Sequence, residues 1–221
     1  MVSEKKHVYF VPGMAAGKEI FKNISLPTET FEINILEWLI PEKGERMQAY
    51  AQRMAKQITA PNPILVGVSF GGVVAQEIAT VIDVEKVVII SSVKSARELP
   101  TRMKFARKTG AYKLIPTGMM LSADDLTKFA IGPRTKKRLK LYQEFLHVRN
   151  KQYLDWAIEH MVTWQRKEPL PNVIHIHGDE DIVFPIQKID DCIVIKGGTH
   201  IMLLNKGSQV SEKLEEIISG N

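Results

Sequence analysis

The sequence predicts an α/β fold, a mostly parallel central sheet with helices on both faces and one helical insertion. Two observations predict it. Short, wholly apolar runs such as Val87-Val-Ile-Ile90 alternate with stretches of helical periodicity, as strands do when crossover helices bury both their faces. The alternation stops once, between about residues 94 and 168, where helical stripes occur without a convincing strand. A length of 221 residues suits one domain. Residues 1–221 are therefore read as a single α/β domain, with 94–168 as a helical cap inserted in it.

The elements follow in order. Val8-Tyr-Phe-Val11 is a short β-prone run stopped by Pro12-Gly13, and Phe31, Ile33 and Ile35 alternate with polar residues as in a half-buried strand. Met47, Ala51, Met54 and Ile58 recur at helical spacing until Pro61 and Pro63 end the pattern. Ile64-Leu-Val66 predicts a strand, residues 67–72 a turn, Val73 to Thr80 a helix, and Val87 to Ile90 a strand. In the insertion, Leu139, Tyr142 and Leu146 form one helical stripe and Trp156, His160 and Trp164 another. Two further strands, 173–177 and 192–195, precede a last helix over roughly 203–218. There is no internal repeat.

Composition narrows the class. With 44% hydrophobic and 25% charged residues, 14 glycines and 11 prolines, the chain is neither disordered, collagen-like nor a disulfide scaffold. Cys192 is the only cysteine, which excludes an intrachain disulfide and a thiolate zinc site. The start, Met1 to His7, lacks a signal-peptide layout, and no apolar run approaches the ~18 residues of a membrane span. A soluble, cytoplasmic protein without integral membrane association is expected. The net charge of +5 permits an anionic partner and requires none. It is unevenly spread: residues 94–151 hold 15 Lys and Arg against 4 Asp and Glu, a balance of +11 that leaves −6 elsewhere. Either the insertion is a solvated basic face or it attracts an anionic substrate, carrier or surface.

The sharpest motif is Gly67-Val-Ser-Phe-Gly71-Gly72, where an apolar strand gives way to a helix. A serine on a tight strand-to-helix turn is held in strained backbone geometry with its hydroxyl exposed. Residues two before, two after and three after it must be small, because strand and helix pass close together. Gly67, Gly71 and Gly72 meet this requirement; the alternative is a plain glycine-rich connection with Ser69 capping the helix.

On these residues the sequence resembles the α/β-hydrolase superfamily, in particular its small bacterial esterases, over about 1–93 and 169–221. The resemblance implies a Ser…Asp/Glu…His triad in that chain order. A serine needs a base and the base an orienting carboxylate. His200, in Gly197-Gly-Thr-His200, follows the last strand and precedes the last helix. In His177-Gly-Asp-Glu-Asp181-Ile-Val-Phe-Pro185, the family's HG-x-x-D…P arrangement matches Asp181, with Asp179 and then Glu180 as alternatives. Two oxyanion donors complete such a site. These are the backbone N–H of Phe70 and, in the loop Pro12-Gly13-Met14, that of Met14; Pro12 stands where the family often has histidine.

Other motifs are set aside. Gly13-Met-Ala-Ala-Gly17-Lys18-Glu19 is one residue short of a phosphate-binding loop and has Glu19 where a magnesium-binding hydroxyl should be. His175 and His177 share one strand face and read as structural or loop-ordering residues, not metal ligands. His160 reads as a core or pocket histidine. No cofactor, metal or nucleic-acid partner is expected.

In this superfamily the insertion folds over the active site. Its Met103, Phe105, Tyr112, Met119, Met120, Phe129, Phe145, Trp156, Met161 and Trp164 suit an apolar pocket, although most are expected to form a small core of the cap itself. A serine nucleophile disfavours haloalkane and epoxide chemistry, which uses aspartate. The expected activity is a serine carboxylesterase acting on a small or medium acyl substrate. A thioesterase drawn to acyl-coenzyme A or an acyl carrier by the basic cap is the alternative, and a non-catalytic ligand-binding protein the alternative of another class.

Overall fold

The computed structural model describes residues 5–115, 117 and 148–220. Among these residues six strands and six helices follow in the order β1 (Lys6–Val11), β2 (Phe31–Ile35), α1 (Met47–Ala55), β3 (Ile64–Val68), α2 (Phe70–Ile78), β4 (Lys86–Ile90), α3 (Thr101–Thr109), α4 (Lys151–Thr163), β5 (Val173–Gly178), β6 (Ile193–Ile195), α5 (Met202–Asn205) and α6 (Gly207–Ser219). They form one sheet in the order β2-β1-β3-β4-β5-β6, and every pairing is parallel.

The two-residue period of a strand sorts the apolar side chains to the two sheet faces. Tyr9, Val11, Leu65, Val87 and Ile89 face a core shared with α1, α2 and α4. Val8, Phe10, Ile64, Val66, Val88 and Ile90 face a second core closed by Val210, Leu214 and Ile218 of α6. This double burial is why β3 and β4 are apolar at successive positions. Because all six strands run the same way, the loops that follow them gather along one edge of the sheet.

Three expectations change. The helix predicted from Val73 begins at Phe70, directly after Ser69, because the chain reverses within a single residue. The last helix is two: α5 and α6 are separated at Lys206, and α6 opens with Gly207, whose α-carbon lies so close to Asn23 that an added Cβ would come within 2.4 Å of its carbonyl oxygen.

The third change concerns the insertion. Trp156, Met161 and Trp164 do not form a separate core of the cap; with Tyr153, Leu154 and Ala157 they belong to the core of α1 and α2. Trp156 packs on Tyr50 at 4.2 Å between ring centroids, and its indole N–H donates to the Glu45 carbonyl at 2.7 Å. Trp164 and Arg166, just beyond α4, both donate to Glu77 of α2, at 2.9 and 2.8 Å. His160 stacks on Trp156 and approaches its carbonyl at 2.9 Å, which makes it a core-edge residue. By contrast α3 buries none of its residues, and Phe105 is exposed. Met119, Met120, Phe129, Leu139, Tyr142, Phe145, Leu146 and the basic run 134–140 lie outside the described residues.

If α4 is part of the body's core, Trp156→Ala should cost about 3–5 kcal/mol. Urea denaturation followed by far-UV circular dichroism should still show one transition. A second, earlier transition confined to helix signal would assign α4 to a separate unit.

Candidate active site

The nucleophile turn is built by close backbone packing. Ser69 sits between β3 and α2 with φ 53° and ψ −121°, a region costly for any residue with a Cβ. Its N–H donates to the Ile90 carbonyl at 2.9 Å, and its own carbonyl accepts from the Ser92 hydroxyl at 2.7 Å and the Gly72 amide at 2.9 Å. The flanking glycines leave no room for a side chain. A Cβ on Gly67 would lie 2.4 Å from the Gly71 carbonyl oxygen, one on Gly71 would lie 2.1 Å from that of Pro12, and one on Gly72 would lie 2.4 Å from the Ser92 hydroxyl. The strain at Ser69 is therefore held on three sides.

The structure brings the predicted partners to it. His200, in the loop between β6 and α5, places Nε2 3.0 Å from the Ser69 hydroxyl and Nδ1 2.8 Å from Oδ2 of Asp181. Asp181 is the carboxylate that arrives. Asp179 instead accepts from the Gly197 amide at 2.6 Å and braces the loop carrying His200, while Glu180 is exposed. The other oxygen of Asp181 accepts from the amides of Val183 and Phe184 at 2.7 and 2.9 Å. Burial pushes the Asp181 carboxyl up, but the charge and hydrogen bond of His200, the Phe184 amide and nearby His177 outweigh it and hold it below the ordinary value. It stays ionised and orients the imidazole.

Phe70 is the first residue of α2, so its N–H is one of the donors a helix leaves unused at its start. Met14 lies in the loop after β1, and it and Phe70 line a cavity of about 490 Å³ together with Ser69 and His200. The other described residues of its wall are mostly apolar, among them Met103 of α3, Ile158, Met161 and Val162 of α4, and Leu203 of α5. Among the described residues that line it, Arg102 and His200 are the only basic groups, and Arg102 is already committed to the carbonyls of Ile182 and Val183 at 3.1 and 2.7 Å.

Behind Asp181 lies a feature that the sequence only hinted at. The buried His175 and His177 touch at 3.1 Å, and Nε2 of His177 faces the Phe184 carbonyl at 2.8 Å. A carbonyl only accepts, so that nitrogen carries a proton and pins the acid-bearing loop. His177 thus bonds the loop itself, and the buried His175 backs its ring. Among the described residues no group of three His, Cys, Asp or Glu could hold a metal ion. The glycine-rich loop 13–19 has Gly13 and Met14 turned to the cavity, while Lys18 to Phe21 form a 3₁₀ turn.

Burial lowers the basicity of His160, His175 and His177, so each ring holds a proton less readily in the folded protein than in the unfolded chain. Unfolded histidines take up protons near pH 6.5, so the unfolded state binds more protons below that value. Stability should fall as pH drops from 7 to 5, at up to about 1.4 kcal/mol per pH unit for each ring. Asp181 adds to this only on further acidification, below its ordinary value of about 3.9. Urea midpoints at pH 7 and 5 should separate for the wild type and separate less for His175→Gln, in which His160 and His177 still contribute.

Comparison with known proteins agrees with this architecture. The Alpha/beta hydrolase family model matches residues 11–212. No curated protein matches the chain by sequence. Solved structures that resemble it include an esterase from Exiguobacterium antarcticum, 15% identical over 98% of this chain and 92% of that one, with a TM-score of 0.72. A bromoperoxidase from Bacillus anthracis is 20% identical over 98% and 92%, with a TM-score of 0.69. An epoxide hydrolase from Bacillus megaterium is 14% identical over 98% and 94%, again with a TM-score of 0.69. At such identities the likeness is one of fold. With the family model spanning nearly all of the sequence, the chain belongs to the alpha/beta hydrolase family.

Proposed function

We propose that the protein is a serine hydrolase that cleaves a carboxylic ester with a small or medium, uncharged acyl group through an acyl-enzyme. The observation that carries this reading is the continuous chain from the Ser69 hydroxyl through His200 to buried Asp181, opening on an apolar cavity.

The Ser69 oxygen attacks the substrate carbonyl while His200 Nε2 takes its proton. Asp181 stabilises the imidazolium formed at the other ring nitrogen. The developing oxyanion meets the N–H groups of Phe70 and Met14. As the carbonyl re-forms, the ester C–O bond breaks, and His200 returns the proton to the departing alkoxide. Water then attacks the acyl-enzyme by the same proton route and releases the acid.

A serine at this position supports acyl transfer over epoxide opening, because the alkyl-enzyme ester of that chemistry forms on a carboxylate. The cavity supports an uncharged acyl group, since the described residues of its wall are mostly apolar and Arg102 is already paired. Thioester hydrolysis would use the same residues.

A fluorophosphonate should label the wild type once and leave Ser69→Ala unlabelled; an unlabelled wild type sinks this reading. Asp181→Asn should lower kcat on the order of 10⁴-fold, because the imidazole loses the tautomer it needs. In a panel of aryl esters and acyl-coenzyme A substrates, ester turnover should dominate. Comparable thioester turnover would replace the ester assignment with a thioesterase.

A further inference from the structure

We propose that Trp38 is a positioning residue for the oxyanion site: its indole N–H fixes the Gly13–Met14 peptide plane so that the Met14 N–H faces the reacting carbonyl. This rests on the hydrolase reading above and adds to it a residue outside the cavity wall.

The loop after β2 carries Trp38. Since β2 pairs in parallel with β1, this loop emerges beside the one holding Gly13 and Met14. The Trp38 Nε1–H donates to the Gly13 carbonyl oxygen at 3.1 Å. In a trans peptide the C=O of one residue and the N–H of the next point in opposite directions across a rigid plane. No described peptide bond is cis. Holding the Gly13 carbonyl outward on Trp38 therefore turns the Met14 N–H the other way. Gly13 lies against the nucleophile: a Cβ there would be 3.8 Å from the Cβ of Ser69.

A second contact ties Trp38 to the other donor. Its ring stacks on Phe70 at 5.7 Å with 28° between planes, and its other neighbour is Tyr153 at 5.4 Å. One half-buried side chain thus bonds the peptide supplying one oxyanion donor and packs on the residue supplying the second. The Gly13 carbonyl also accepts from the Ala16 amide at 3.0 Å, which closes a tight turn. Next to it Ala15 adopts φ 62°, an unfavourable value for alanine. A strained loop of this kind gains from an external clamp. If the peptide turned over, a carbonyl oxygen would meet the oxyanion in place of an N–H, and the interaction would become repulsive.

The test compares the wild type with Trp38→Phe, which keeps a ring on Phe70 and removes the donor. Expected are a 10–100-fold fall in kcat, smaller than the 10²–10³-fold loss on deleting an oxyanion donor outright, and a KM changed by less than about 3-fold. Affinity for an aryl trifluoromethyl ketone, which forms a tetrahedral adduct with Ser69, should fall in parallel. The corresponding trifluoromethyl alcohol, which cannot form the adduct, should bind equally to both proteins. Equal kcat and ketone affinity in Trp38→Phe overturn the proposal, and so does an equal loss for ketone and alcohol, which marks a merely structural role. Should Trp38→Phe fail to fold, replacing Trp38 with benzothienylalanine keeps the ring shape and removes only the N–H, with the same criteria. A wild type that neither takes the fluorophosphonate nor forms the ketone adduct overturns the hydrolase reading instead.

Discussion

Everything at the site depends on the lack of room around Ser69. Strand β3 must end and α2 begin within one residue, and this works only because Gly67, Gly71 and Gly72 let backbone touch backbone. The contacts reach beyond the turn itself. Gly71 rests on Pro12, so the loop after β1 is held against the start of α2, and Gly72 rests on Ser92, which in turn binds the Ser69 carbonyl. The unfavourable dihedral at Ser69 is thus the shared product of three strands and a helix. Its cost is carried by the burial of β3 and β4 in two cores.

From this point the rest of the site can be assembled from loops alone. A parallel sheet brings the ends of β1, β2, β3, β4, β5 and β6 to one edge; the end of β4 supplies Ser92, which holds the Ser69 carbonyl, and the other five each bring a different group. β3 supplies the Ser69 hydroxyl, β5 the Asp181 carboxylate and β6 the His200 imidazole, while the loop after β2 brings the Trp38 indole to the Gly13 carbonyl after β1. The polar seam behind Asp181 adds rigidity. His177 binds the Phe184 carbonyl while the Phe184 amide binds Asp181, so one short loop is fixed by both of its peptide directions.

The strands and the three side chains of the Ser69 chain were legible in the sequence because each has a local signature. Buried parallel strands are apolar runs, Ser69 is framed by glycines, and His200 and Asp181 follow the ends of strands. Choosing Asp181 over Asp179 rested on the resemblance, and the structure distinguishes them by the bond of Asp181 to His200, while Asp179 accepts from the Gly197 amide. Trp38 was not legible. Nothing about Glu37-Trp-Leu39 signals a bond to Gly13, because the two meet only through the pairing of β1 with β2. Nor was the place of α4: the stripe of Trp156, His160 and Trp164 marks an apolar face without saying what it packs on. The break before α6 depends on the approach of Asn23, nearly two hundred residues earlier in the chain.

The strand order has a consequence for the chain as it is made. β1, β3, β4, β5 and β6 lie side by side in the order of their synthesis, with only β2 added on the far edge. A ribosome can therefore release the sheet one strand at a time. After Ile90 emerges, however, β4 is an open edge with apolar side chains on both faces, and its neighbour begins only at Val173. For some eighty residues, the length of the insertion and its flanks, the growing chain exposes an unpaired edge of the kind that promotes association between molecules. The stretch that emerges during that wait is the most basic part of the protein, and its like charges repel other nascent copies.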